Sequence, residues 1–342
     1  MSDELDIDSA EAWLSDHMPG FAGPASATKI AGGQSNPTYR LESTHGPYVL
    51  RRKPSGILLK SAHAVDREYR VQKALAETDV PVPNVHVLCE DDSIIGSAFY
   101  VMEAIEGRQF DDPRLPGLEV EARAAIYDEL NRVLAAIHSV DPVRIGLGDF
   151  GPEGNYYARQ VGRWVKQYRA SETDKIPEMD ELVTWLEMNL PSDDGRRTLV
   201  HGDYRIDNLL FALNGPQCVA VLDWELSTLG HPFADLAALV MQWAMPPGSE
   251  GRGLGGVDRA ALGLPTDEAF IADYCARMGL PGIDRFGFYL AFCNFRMAAI
   301  LQGVKRRALD GNASDPQRGL KLGEMVPVYA RGGLDAARRV EI

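Results

Sequence analysis

Two short stretches, VHGDYRIDN (200–208) and VAVLDWE (219–225), set His201, Asp203, Asp207, Asn208 and Asp223 between runs of apolar residues. Asp and Asn compete with the backbone for hydrogen bonds, and a buried carboxylate is costly unless it is paired or bound to metal. Such a cluster is expected to be a site. Asp203 and Asn208 stand in the spacing H-x-D-x-x-x-x-N, and the segment LLFALNGPQCVAVLD that follows reads as a hairpin turning at Asn214-Gly215-Pro216. A hairpin brings the chain back to its start, so Asp223 is expected beside Asn208. Two hard oxygen donors would then face one point, as Mg²⁺ requires, with the Asp203 carboxylate one turn away.

The elements that would hold this cluster are legible along the chain. Residues 8–18 read as a short helix, TKIAGGQSNPTYRLES as strand, glycine turn and strand, and GPYVLRRK as a further strand after a Gly-Pro break. AHAVDREYRVQKALAE is helical, with Val65, Tyr69, Gln72 and Leu75 or Ala76 along one face. PVPNVHVLCEDDSIIGSAFYVMEAI reads as two strands around an acidic turn. After Gly107 long helical patterns dominate, at 119–139, 155–170, 178–189, 266–279, 284–309 and 314–337, interrupted by short strands near 199, 209–212 and 218–223. The Gly/Pro-rich segment 245–265 is expected to be a functional or mobile loop. The expected partition is a small β-rich N-terminal lobe, 1–104, and a larger helical C-terminal lobe, 105–342, an α+β architecture.

Composition narrows the function. The chain has 342 residues, enough for two lobes, and a formal net charge of -14, which argues against a nucleic-acid or anionic-membrane binder. Cys89, Cys218, Cys275 and Cys293 show no C-x-x-C or metal-like spacing and read as free thiols of a reducing compartment. The acidic N-terminus has no apolar leader core, and no stretch is long enough to span a membrane, so a cytoplasmic protein is expected.

Seven segments in order, AGGQSNPTY, YVLRRKP, REYRVQKAL, FYVMEAIEGR, HGDYRIDNLLF, LDWELSTLGHPFADLA and FRMAAILQG, make the chain resemble the aminoglycoside phosphotransferase-like family, within which it is most similar to the kinase-like domains fused to some acyl-CoA dehydrogenases and their free-standing bacterial relatives. The resemblance implies a protein-kinase-like two-lobe fold and an ATP- and Mg²⁺-dependent kinase acting on a small-molecule hydroxyl. By the same resemblance Asp203 is the base for the acceptor hydroxyl, and Asn208 and Asp223 are the Mg²⁺ ligands. Arg51 takes the place of the phosphate-contacting lysine, and Glu68 holds it. Gly32, Gly33, Ser35 and Asn36 form a turn whose N–H groups cradle phosphate. Glu103 to Ile105 form the hinge that meets adenine, and Asp235 anchors the catalytic loop. The chain departs from protein kinases in Gly202, which replaces an arginine, in DWE for DFG, in Arg51 for lysine, and in lacking G-x-G-x-x-G.

Other readings stand beside these. His201 is expected to orient its loop rather than react. Glu225 is either a partner behind the metal ligands or an acid that starts a helix. Arg205 contacts phosphate or substrate, or else forms a structural salt bridge; Arg296 faces the acceptor or belongs to an amphipathic helix face. The implied acceptor is a hydroxyacyl-CoA or hydroxy acid, with aminoglycoside-type antibiotics as the alternative. A nucleotide-binding pseudokinase scaffold is disfavoured because Asp203, Asn208 and Asp223 are all present. A metal hydrolase is disfavoured because the seven histidines show neither HxH nor HExxH.

Overall fold

The computed structural model describes residues 5–30, 36–54, 64–248, 252–313 and 315–339. The glycine-turn residues Gly32, Gly33 and Ser35 lie outside the described residues. In chain order the elements are α1 (Ile7–His17), β1 (Ser26–Lys29), β2 (Thr38–Ser43), β3 (Gly46–Arg52), α2 (Val65–Leu75), β4 (Val85–Cys89), α3 (Asp92–Ile95), β5 (Phe99–Glu103), α4 (Val120–Ser139), α5 (Tyr156–Ser171) and α6 (Pro177–Met188). They continue with β6 (Thr198–Val200), β7 (Leu209–Phe211), β8 (Cys218–Val221), β9 (Thr228–Gly230), α7 (Phe233–Trp243), α8 (Arg259–Leu262), α9 (Asp267–Met278), α10 (Phe286–Leu309), α11 (Pro316–Gly323) and α12 (Val326–Arg338).

Two compact units emerge: residues 1–110, 140–148 and 201–227 form the first, and 111–139, 149–200 and 228–342 the second. The first is built on an antiparallel sheet of order β1-β2-β3-β5-β4. Side chains alternate across a strand, and β5 shows what that does here. Phe99 and Val101 join Leu41, Leu50 and the α1 residues Ala10 and Leu14 in one core. Tyr100 and Met102 join Val65 of α2 in another. By packing, residues 201–227 belong with this sheet, so the compact units and the partition expected at 104/105 cut the chain differently. The β7–β8 hairpin supplies the reason. Arg108 and Phe211 exchange backbone hydrogen bonds (2.7 and 2.9 Å), and Val221 N donates to Pro81 O (2.8 Å).

The second unit is helical. α10 packs against α5, α7, α11 and α12, and α4 against α9. A buried polar knot ties three of these helices. His138 of α4 lies 2.7 Å from the Tyr274 hydroxyl of α9 through Nδ1 and 3.3 Å from Asp235 Oδ2 of α7 through Nε2. The pattern 314–337 resolves into two helices rather than one. Pro327, second residue of α12, has no N–H to continue an earlier helix, so the chain restarts there. The four cysteines are free and buried. No helix among the described residues is long and apolar enough to cross a membrane.

Candidate active site

The buried stripe of α2 comprises Val65, Glu68, Val71, Gln72 and Leu75. Helical periodicity therefore carries two polar residues, Glu68 and Gln72, onto the face that packs on the sheet. Beneath them Arg51 of β3 pairs across the sheet with Tyr100 of β5. Arg51 Nε meets the Glu68 carboxylate at 3.0 Å to Oε2 and 3.2 Å to Oε1. The Tyr100 hydroxyl donates to Glu68 Oε2 (3.3 Å) and accepts from Gln72 Nε2 (2.9 Å). Asn36, fully buried just before β2, donates from Nδ2 to Glu68 Oε1 (2.8 Å) and to Glu225 Oε2 (3.3 Å). A second Arg51 nitrogen, Nη2, donates to Asp223 Oδ1.

Glu68, Asp223 and Glu225 each present an oxygen within 4.8 Å of the others, a carboxylate group of a kind that could hold a metal ion. The charge is lopsided: three carboxylates surround one guanidinium. Burial, foremost, raises the Glu68 pKa; Arg51 opposes this and Asp223 and Glu225 add to it, leaving it at about 7. Burial disfavours the Arg51 charge, yet Glu68, Tyr100, Asp223 and Glu225 together more than offset this, so its pKa lies above the usual arginine value.

The catalytic-loop stretch is fixed from below. His201 is buried; its Nδ1 accepts from Asp203 N (3.3 Å) and its Nε2 lies 2.9 Å from Leu222 O. A backbone N–H only donates and a carbonyl only accepts, so the ring is protonated at Nε2 and serves as a brace between the loop and the hairpin's return strand. Gly202 adopts φ +86°, and a Cβ there would lie 2.5 Å from Leu226 O. Glycine is thus required both by conformation and by close approach. Antiparallel pairing of Leu209 with Val221 returns the chain as the hairpin reading expects, and Leu222 N donates to Asn208 O (2.8 Å). Asn208 spends its amide nitrogen on Asp203, at 2.8 Å to the carbonyl and 3.2 Å to Oδ2. Its Oδ1 accepts no hydrogen bond from a described residue. Asp223 sits at φ +65°, a left-handed conformation uncommon for a residue with a side chain, at the start of the single turn Trp224–Leu226.

The remaining candidates divide. Arg205 pairs with both Asp203 (3.2 Å) and Asp207 (3.4 Å), the latter a buried carboxylate rather than an exposed loop acid. Glu103 ends β5; its N–H donates to Asn84 O (2.8 Å), and its carboxylate accepts from Asn84 Nδ2 (2.8 Å). Ile105 follows just beyond that strand. Arg296 belongs to the second unit, on α10, with its guanidinium 5.7 Å from the Trp164 ring centre. Arg51, Glu68, Asn36, Asp203, Arg205, Asn208, Asp223 and Glu225 all belong to the first unit. Tyr100 and Gln72 went unremarked as site residues in the sequence reading, although Gln72 on a buried helical stripe was a signal.

Comparison with known proteins bears on the family and the fold. A family model described as "Phosphotransferase enzyme family" matches residues 26–289. Mouse acyl-CoA dehydrogenase family member 10 is 52% identical over 293 residues, covering 85% of this chain but 27% of its own, so the chain spans about a quarter of that relative. A Ralstonia eutropha protein, crystallised under the provisional name of aminoglycoside phosphotransferase, is 48% identical with a TM-score of 0.89, covering 99% of this chain and 100% of its own. A thermostable aminoglycoside phosphotransferase mutant, solved with AMP-PNP and hygromycin B, shares the fold at 15% identity (TM-score 0.63; 97% and 99% covered). With a small antiparallel-sheet lobe and a larger helical one, the chain has the protein-kinase-like fold of these enzymes, and it belongs to the phosphotransferase enzyme family.

Proposed function

We propose that this phosphotransferase moves the γ-phosphoryl group of ATP, with Mg²⁺, onto a hydroxyl of a small acid, a hydroxyacyl-CoA or related hydroxy acid. The observation that carries the kinase part is Arg51 held between Glu68 and Asp223, in the same unit where Asn208 bonds Asp203. In this reading residues 1–104 bind nucleotide and 105–342 carry the catalytic loop and the acceptor site.

The donor set suits Mg²⁺, a hard ion that takes oxygen ligands: Asp223 offers a carboxylate, and Asn208 has its amide oxygen unengaged by described residues. Once bound there, Mg²⁺ would neutralise charge on the nucleotide phosphates. Arg51 contacts those phosphates and Glu68 fixes its direction. Backbone N–H groups of Gly32, Gly33, Ser35 and Asn36 add to the cradle, and Glu103 to Ile105 meet adenine. Asp203 accepts the acceptor's hydroxyl proton as the alcohol oxygen bonds to the γ-phosphorus. The bond from that phosphorus to the bridging oxygen breaks, and ADP leaves with the electron pair.

The acyl acceptor rests on the relationship to an acyl-CoA dehydrogenase family member. Arg205 and Arg296 are the candidates for its anionic end, with Glu225 beside the metal ligands. ADP release with a panel of hydroxyacyl-CoAs and aminoglycosides tests the reading. Turnover with a hydroxyacyl-CoA that Arg296→Ala slows through a raised KM is the expected result. Turnover with an aminoglycoside alone would move the substrate class to antibiotics.

A further inference from the structure

Three carboxylates, Glu68, Asp223 and Glu225, crowd within 4.8 Å, and Arg51 and Asn36 each bridge two of them. Arg51 takes Glu68 and Asp223. Asn36 takes Glu68 and Glu225 from a single amide nitrogen, at 2.8 and 3.3 Å. Both donors share Glu68, so each is left with one acid of its own. An arginine fork binds a carboxylate or a phosphate equally well, and any carboxylate within reach competes for it. Glu225 lies two residues beyond Asp223 in the same single turn, and its field already reaches Arg51. The Asn36 amide is one group that engages its carboxylate away from Arg51.

We infer that Asn36 is a positioning residue: it holds Glu225 aside so that the Arg51 fork stays free for Asp223 and, on nucleotide binding, for phosphate. This rests on the kinase reading above, where Asn36 enters only through its backbone N–H, and adds a separate role for its side chain, which touches neither reacting atom. Asn36 lies where the segment carrying Gly32, Gly33 and Ser35 enters β2, and its full burial directs its side chain to the carboxylates. The residue that closes the glycine-containing segment is thereby also the one that allocates charge around Arg51.

Replacing Asn36 by the isosteric Asp removes the donor and adds a fourth carboxylate. Affinity for Mg²⁺·AMP-PNP, measured by isothermal titration, is expected to fall about tenfold or more, within the range seen for coupled neighbours. The expected kinetic signature is a raised KM for ATP with a smaller change in kcat. Adding Glu225→Gln puts an amide back across the same gap, and the double variant is expected to recover most of the affinity. Asn36→Ala, rescued by Glu225→Ala, repeats the test without an added charge should Asn36→Asp unfold the chain. An Asn36→Ala affinity equal to wild type, or a double variant no better than its single parent, would overturn the inference. A role in stability alone would show as a lowered Tm with unchanged affinity per folded molecule, which also overturns it. Wild type that binds no Mg²⁺·AMP-PNP would overturn the kinase reading itself and this inference with it; wild-type binding that is indifferent to Asn36 would overturn the inference alone.

Discussion

Glu68 and Asp235 are both buried carboxylates, one in each compact unit, but they keep different company. Asp235 faces the His138 ring, which the Tyr274 hydroxyl backs on its other side, and no group of three potential metal-ligating side chains forms around it among the described residues. Glu68 receives Asn36, Arg51 and Tyr100, yet two further carboxylates stand beside it. A buried acid that ties helices together needs only its own partners. A buried acid crowded by like charge destabilises the free chain, and a bound cation is the kind of ligand that would relieve it.

The comparison breaks or sharpens in four measurements. Asp203→Ala should lower kcat by roughly 10²- to 10⁴-fold, the usual loss when a general base is removed, while nucleotide affinity and Tm stay near wild type. A parallel collapse of nucleotide affinity would make Asp203 part of the binding frame instead. Asp223→Asn should strongly weaken nucleotide binding in the presence of Mg²⁺ and change it little without the ion, because one anionic oxygen donor becomes neutral. Titrations that give equal losses with and without Mg²⁺ would remove Asp223 from the metal site.

His138→Ala addresses the other unit. It removes the ring from between the Tyr274 hydroxyl and Asp235, at a cost of roughly 1–3 kcal/mol, read by urea denaturation. The KM for ATP should not change; if it does, the knot belongs to the site as well as to the frame. The smallest effect concerns Glu68. Its pKa is raised on folding to about 7, so its contribution to stability is complete below the ordinary glutamate value of 4.5 and is lost as pH rises through about 7. Glu68→Gln has no such group, and its Tm relative to wild type should rise by a few degrees across that window. A Tm difference independent of pH would mean that Glu68 is ionised throughout in the folded chain.

Much of this arrangement could be read from residue order. The offset of Glu68 from Arg51 suggested their pairing, and the Asn214-Gly215-Pro216 turn suggested the return of Asp223 toward Asn208, where its neighbour Leu222 bonds Asn208 O. Helices with one apolar stripe, such as α4 at Val120–Ser139 against the expected 119–139, were found almost to the residue. α7 was not among the helices found from periodicity. Nine of its residues are buried, so it has apolar positions all round and no period to detect. Also beyond reach were the Tyr100 hydroxyl on Glu68 and the amide of Asn36 on Glu225. These contacts join residues 32 and 189 positions apart and depend on which way a side chain leaves its strand or loop, which spacing does not encode.

The tight seat of Gly202 bears on how such sequences can diverge. Protein kinases carry an arginine at the corresponding place, but here any side chain would strike the Leu226 carbonyl from a backbone conformation that L-residues disfavour. A single substitution toward the kinase signature would therefore pass through a damaged loop. The turn at 224–226 would have to move first or at the same time, making the two changes epistatic. A side chain at position 202 and the path of the 224–226 turn are thus coupled, and neither can change alone without cost to the loop.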